Sequence, residues 1–264
     1  MNTTDEHCTD VTFVLTSCGR FDLLEETLSS FFAHNTAPIA RYLIIEDSGL
    51  YAVRKVTARF PFPIEVIVNR PSLGQFASID KAYATVTTPY IFHCEDDWRF
   101  FRSGFIEDSL ALLQLDRSIS VVCSRRLENQ RKNLSCVLEA PVVTIRGIGY
   151  RKADPWRNRL WHGYTFNPGL RRMSDYRMLG SFKRWGDESD ASLFFKRKRM
   201  VVAFLATPAC ETTGAKRRLP KQQPVRTAWS RLQRLWSDCR FRFRRPVKFL
   251  ASRAEVLARC FVQR

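Results

Sequence analysis

Apolar and polar positions fall along the first hundred residues in blocks that change period. Residues 11–15, Val-Thr-Phe-Val-Leu, form a short β-branched run closed by the polar turn Thr16-Ser17-Cys18-Gly19-Arg20. Leu23, Leu24, Thr27, Leu28, Phe31 and Phe32 then recur at helical spacing, with Asp22, Glu25 and Glu26 where carboxylates favour a helix N-terminus. Residues 42–45 read as a second strand ending in Glu46-Asp47-Ser48-Gly49, and 64–68 as a third ending in Asn69-Arg70-Pro71. The pattern predicts a helix over 76–84. A fourth strand, 90–94, runs straight into Glu95-Asp96-Asp97-Trp98. Strand and helix alternating at this spacing predict a mostly parallel sheet with helices on both faces. Ligands of such sheets sit beyond the carboxyl ends of the strands, and every strand of this half ends in polar residues.

The second half is less regular. A helix is predicted over 105–115 and a strand over 119–123, followed by a polar, Arg-rich stretch at 125–133 and a strand at 141–145. Residues 147–169 read as loop, rich in Gly, Trp and Asn. A helical pattern covers 187–195 and a strand 200–205.

Composition sharpens this picture in one respect. With 264 residues, 45% of them hydrophobic and 26% charged, the chain is in the globular range and long enough for one sizeable α/β domain. The net charge of +17 is unevenly placed: residues 216–264 hold 15 Lys and Arg against Asp238 and Glu255, a net of +13, which leaves +4 for the first 215. The division expected is a domain over 1–215, in two halves at about 10–100 and about 101–215, and a basic tail over 216–264. In the tail Leu232, Leu235, Trp236, Cys239 and Phe243 fall at helical spacing between arginines. A basic amphipathic helix of this kind suits an anionic membrane surface; nucleic-acid binding and packing against the body are the competing readings. A nucleic-acid-binding protein would carry its charge on the folded body, so nucleic acid is not an expected partner.

No run approaches the ~20 apolar residues of a membrane span, and the first six residues do not resemble a signal peptide. The eight cysteines include no C-x-x-C pair, which argues against zinc and for a reducing compartment. The location expected is cytoplasmic, peripheral at the inner face of the membrane.

The candidate chemistry lies in Glu95-Asp96-Asp97. Carboxylates crowded on one turn repel each other unless a cation neutralises them. Mg²⁺ or Mn²⁺ takes few protein ligands and completes its shell with phosphate oxygens and water. A strand-end cluster of this type fits a metal that grips a nucleotide diphosphate.

Taken in order, residues 16–20, 46–49 and 95–97 resemble the corresponding strand ends of GT-A fold glycosyltransferases of family 2. Residues 90–100 and 166–172 look like those of bacterial family 2-like enzymes. The resemblance covers roughly residues 10–215. It implies a nucleotide-diphospho-sugar transferase fold with a basic helical tail, and inverting transfer of a sugar, from a UDP-sugar by default, to a glycan or lipid-linked acceptor in cell-surface polysaccharide or glycolipid synthesis. It implies that Thr16, Arg20 and Asp47 hold the base and ribose, that Asn69, Gly74 and Gln75 lie near the nucleotide, and that Asp96 contacts the ribose. Asp97 and Glu95 are implied as metal ligands. Glu188 matches the catalytic base that takes the acceptor hydroxyl proton, with Asp187 and Asp190 as alternates. These acids also read simply as dipole-favoured residues starting a helix. Arg171 and Arg172, after a Pro-Gly turn, suit a diphosphate or an anionic acceptor. Asn167 is grouped with them, and Trp161 offers a sugar-stacking surface.

The chain departs from the pattern at one place. Related enzymes often carry a histidine after the last strand that completes the metal site, and residues 211–214 here read Glu-Thr-Thr-Gly. That departure keeps a catalytically weak or inactive binding module as an alternative.

Overall fold

The computed structural model describes residues 10–127, 140–153, 163–185 and 187–214, with Val137, Arg217, Leu232 and Leu235. β1 (Val11–Ser17), α1 (Phe21–His34), β2 (Arg41–Glu46), α2 (Val53–Thr57), β3 (Ile64–Val68), α3 (Gln75–Tyr83) and β4 (Tyr90–Glu95) follow the predicted alternation. Then come β5 (Trp98–Phe100), α4 (Phe105–Leu115), β6 (Ile119–Cys123) and the hairpin β7 (Val143–Ile145) and β8 (Ile148–Lys152). β9 (Gly169–Arg172) and α5 (Met173–Leu179) lead through a 3₁₀ turn at Phe182–Arg184 to α6 (Glu188–Arg197), β10 (Val201–Leu205) and β11 (Cys210–Thr212).

Nine strands form one sheet in the order β3-β2-β1-β4-β9-β6-β10-β8-β7. β3, β2, β1 and β4 are parallel, and β10 is parallel to β6. β9 runs antiparallel between β4 and β6 and joins the two halves. Period-2 side chains send Phe13, Leu15, Ile44, Phe92 and Cys94 to a core beneath α1, α2 and α4. Val14, Leu43, Ile45 and Ile91 face a second core with α3, α5 and α6. Helices therefore cover both faces, as the hydrophobic pattern predicts.

The second half corrects the sequence reading. The stretch read as loop over 147–169 contains β8, and the Pro-Gly turn with two arginines is β9. Gly169 lets β9 lie close to its neighbour, since a Cβ there would overlap the Val122 carbonyl. Arg171 and Arg172 are buried and serve the fold. Arg171 donates to Tyr164 Oη (3.0 Å) and to the carbonyls of Thr165 (3.2 Å) and Asn167 (3.1 Å). Arg172 pairs with Asp175 (3.1 Å) and donates to the Leu113, Asp116 and Ile119 carbonyls around the C-terminal end of α4. β9, four residues of which two are arginine, carries no hydrophobic alternation to be read.

β5 and β11 pair apart from the main sheet, Trp98 opposite Thr212 and Phe100 opposite Cys210. This ribbon brings residues 210–214 back over the end of β4. Among the described residues no helix is long and apolar enough to cross a membrane. Of the tail, only Arg217, Leu232 and Leu235 are described, and its predicted membrane-facing helix otherwise lies outside the described residues.

Candidate active site

The carboxyl ends of β1 to β4 lie along one edge of the sheet because the four strands are parallel. Thr16 stands in register between Ile45 and Glu95. After it the chain turns sharply at Gly19, whose φ of 73° lies in the left-handed region that suits glycine. Two carboxylates hold this turn. Glu46 Oε1 accepts from the amides of Gly19 (3.0 Å) and Ser48 (2.7 Å), and Asp96 Oδ2 accepts from the Cys18 amide (3.3 Å). The turn delivers Arg20 to the acidic cluster, where its guanidinium pairs with Asp96 and, through Nη1, with Asp97 Oδ2 at 3.0 Å.

The cluster is electrostatically strained. Burial, then the charges of Asp97, Glu188 and Asp96, push the Glu95 carboxyl up to about 8. Burial also raises Asp96, to about 6, although the Arg20 charge pulls it down. Burial opposes the charge on Arg20, but Asp96 and Asp97 outweigh it and hold the guanidinium above its ordinary value.

Several predicted residues meet here. Gln75, at the start of α3, donates to Glu95 Oε1 at 3.0 Å. Glu188, from the second half of the chain, lies close enough for its charge to raise Glu95. Asp187 is the N-cap of α6 and accepts from the Asp190 amide (2.9 Å), while Asp190 is buried. Such a cap fixes the first turn and so the origin of Glu188.

Asp47, Asn69 and Gly74 also converge, but on each other. Asp47 Oδ1 accepts from Asn69 Nδ2 (2.9 Å) and the Leu73 amide (2.8 Å), and Oδ2 from Ser72 Oγ (2.7 Å) and the Gly74 amide (2.8 Å). Asn69 in turn binds Ser78 Oγ and Lys81 Nζ. Both Asp47 oxygens are filled, so in this structure Asp47 orders the 69–74 loop rather than presenting a free acceptor to a base or ribose. Burial would raise its carboxyl; hydrogen bonds, led by the Leu73 amide and followed by Ser72, Asn69 and Ser78, outweigh that and hold it below the usual range.

Three predicted residues stay away from the cluster. Arg171 and Arg172 are committed to the fold as described, and Asn167 Nδ2 donates to Thr165 Oγ1 (2.7 Å). Trp161 lies outside the described residues.

Two residues here were not predicted. Asp80 on α3 accepts from Tyr176 Oη (3.0 Å), Ser181 Oγ (2.6 Å) and the amides of Phe182 (2.8 Å) and Lys183 (3.0 Å), tying α3 to the segment that leads into α6. It reads in sequence as one more exposed helical acid. Arg125, just past β6, packs over the Trp98 ring at 5.2 Å; the Arg-rich stretch gave no reason to single it out.

Residues 211–214 fall where the sequence places the histidine-bearing segment of related enzymes. The Thr213 amide donates to the Asp97 carbonyl (2.9 Å), and a Cβ built on Gly214 would overlap the Asp97 carboxylate. Among the described residues no group of three or more His, Cys, Asp or Glu side chains is disposed to hold a metal. Glu95 engages Gln75 through Oε1 with the Trp98 side chain also beside it, Asp97 engages Arg20 through Oδ2, and the cluster carries surplus negative charge. Two carboxylates of this kind fit Mg²⁺ or Mn²⁺, whose remaining positions go to phosphate and water.

Solved structures share this architecture. A mannosyltransferase from Pyrobaculum calidifontis, in complex with GDP-mannose and Mn²⁺, matches with a TM-score of 0.59 at 12% identity, over 79% of this chain and 58% of its own. S. aureus TarS matches with a TM-score of 0.57 at 13% identity, over 78% of this chain and 37% of its own. Its 1–349 fragment in complex with UDP gives 0.56 at 11%, over 77% and 60%. The structural neighbours are glycosyltransferases, and the fold is of their GT-A-like class. The chain spans three fifths or less of the length of these structures. No protein-family model matches it, and no curated protein matches it in sequence.

Proposed function

We propose that this chain is an inverting, metal-dependent glycosyltransferase of the family 2 type, moving a sugar from a nucleotide-diphosphate sugar to a glycan or lipid-linked acceptor. The observation that carries the reading is the approach of Glu188, on a helix start from the second half of the chain, to Glu95 at the end of β4. A donor lying along the strand ends has its nucleotide toward β1 and β2 and its sugar toward Glu188.

In this reading Glu188 takes the proton of the acceptor hydroxyl as that oxygen attacks the anomeric carbon. Asp97 and Glu95 are the metal ligands, and the metal, when bound, stabilises the departing diphosphate. Arg20 holds Asp96 and Asp97 in place and limits their mutual repulsion. The neighbour solved with GDP-mannose and Mn²⁺ and the one solved with UDP support a nucleotide-sugar donor; UDP is the first nucleotide to try. A role in cell-surface polysaccharide or glycolipid synthesis, with the basic tail on an anionic membrane, fits a lipid-linked acceptor. Leu232 and Leu235, one helical turn apart, are both exposed, as an unfilled apolar face would be.

A second reading is a binding module without turnover. It draws on Arg20 filling the cluster and on Thr213 and Gly214 standing where a histidine is expected.

Calorimetric titration with UDP, GDP and dTDP, each with and without Mn²⁺, tests the donor site. Metal-dependent binding of one nucleotide, lost in Asp97→Ala, is expected. Glu188→Gln should bind that nucleotide normally and turn over no donor. A folded protein that binds none of the three overturns the proposal, and binding without turnover of any donor selects the second reading.

A further inference from the structure

The parallel strands at the centre of the sheet deliver more than carboxylates to the site edge. β6 is parallel to β4 across the intervening β9, so the residues just past Cys123 emerge on the same edge as Glu95 to Asp97. Ser124 is pinned there by its amide to the Pro168 carbonyl (3.1 Å), and its own carbonyl accepts from the Ala209 amide (2.7 Å). Arg125 follows, bridged to Cys210, and the Arg126 amide donates to the Cys210 carbonyl (2.7 Å). The backbone on both sides of Arg125 is thus fixed by β11 and the approach to β9.

Its side chain is an anomaly in this setting. Arg125 is 8% exposed, yet it makes no ion pair with any described residue, and its buried Nε has no hydrogen-bond partner. The other buried arginines, Arg171 and Arg172, are bonded to carbonyls, a tyrosine or an aspartate. Arg125 has only the face of Trp98, at 5.2 Å. The carboxylates whose charges reach it are Glu188 and Glu95, the proposed base and a proposed metal ligand. A cation withdrawn from water without hydrogen-bonded partners is costly, and burial holds this guanidinium below its ordinary value. Retention of such a group makes sense where an anion comes and goes, because a guanidinium is a planar fork of donors that matches phosphate oxygens.

We propose that Arg125 is an anchor for the diphosphate of the nucleotide donor, fixed just past β6 on the edge of the sheet that carries Glu95 so that its free donors meet the phosphate joined to the sugar. This rests on the glycosyltransferase reading and adds a residue to it. Trp98 sets the plane of the guanidinium, and the β11 bridge sets its height above the sheet edge. When the bond from the anomeric carbon to the phosphate oxygen breaks, the electron pair stays on that oxygen. A fixed cation beside it opposes the build-up of charge without having to move.

The test is competitive calorimetry in Mn²⁺ on the full chain, comparing whichever of UDP, GDP or dTDP the parent binds with its monophosphate. Arg125→Met should weaken diphosphate binding by about 10- to 100-fold, the scale of a hydrogen-bonded charge pair, and leave the monophosphate within about twofold. Arg125→Lys keeps the charge but not the fork, and should give a smaller loss for the diphosphate alone. It also serves if the methionine variant fails to fold. An equal loss for both nucleotides, or no loss for either, overturns the proposal, as does a parent that binds both alike. If the parent binds no nucleotide, it is the glycosyltransferase reading that falls.

Discussion

Asp47 separates two accounts of the nucleotide half of this protein. Family resemblance makes it a contact to base or ribose, whereas in the structure it is the hub of the 69–74 loop. Replacement by alanine strands two donors inside the protein, the Gly74 amide and the Asn69 side-chain amide. Ser72 and Leu73 are exposed, and their donors can turn to water. At about 1–3 kcal/mol for each stranded donor, and allowing for some relaxation, Asp47→Ala should cost about 3 kcal/mol. For a chain of this size that is a fall of about 10 °C in melting temperature. Asp47→Asn is the sharper probe, because its amide nitrogen must face one of the two donor pairs, and the Gly74 and Leu73 amides cannot reverse. It should destabilise almost as much as alanine. The pH dependence has a definite sign: a carboxyl held below its unfolded value stabilises the fold above about pH 3.8, and that contribution fades as pH falls through the folded value. The gap between parent and Asp47→Ala should therefore narrow in acid. Circular-dichroism melts, paired with nucleotide titration at a temperature where all variants are folded, check this. Variants that melt within about 2 °C of the parent but no longer bind nucleotide would refute the hub account and restore Asp47 as a contact.

Other expectations follow from the same geometry. Glu95 is raised from its unfolded value near 4.5 to about 8, so the folded state holds the extra proton and stability falls as pH rises between these values. Without divalent metal, Glu95→Gln should therefore match the parent near pH 4.5 and melt higher than it at pH 8.5; a constant offset across that range would sink the assignment. Asp80→Ala removes the acceptor of four donors and should cost about 2 kcal/mol. Because it frees the segment leading to Glu188, turnover should drop more than nucleotide affinity, which kinetics and calorimetry together would show. Gly214→Ala places a methyl group against the Asp97 carboxylate and should weaken Mn²⁺-dependent nucleotide binding while binding without metal stays unchanged.

The first half of the fold is legible because β1, β2 and β4 are apolar runs that stop at charged turns, and α1 repeats its apolar face for 14 residues. The second half is not, because its decisive pieces are short or polar. β9 has four residues, two of them arginine, and β5 and β11 have three each. Their positions follow from partners 46 to 114 residues away, which no local pattern encodes. The acidic cluster was visible as a sequence motif, and the structure adds Arg20 as its counterion. The commitment of Arg171 and Arg172 to the core was hidden because paired arginines after a Pro-Gly turn look the same whether they face a phosphate or a carbonyl. Arg125 was hidden for the opposite reason, as one arginine among several whose singularity is its lack of partners.

The antiparallel strand between β4 and β6 has a consequence for how the chain is made. β4 is complete at Glu95, but the strand that covers its open edge does not begin until Gly169. At roughly 5–20 residues per second, a ribosome needs about 4 to 15 seconds to supply it. Until then a sheet formed by β3, β2, β1 and β4 would leave the backbone N–H and C=O groups along one edge of β4 unpaired, the condition that invites pairing with a foreign strand. A slow stretch of translation between these points would lengthen the exposure, and a chaperone that shields β4 would shorten its effect. Yield of native protein is thus expected to fall when synthesis slows over residues 96–172, a stretch in which Asp97 and Arg125 are also made.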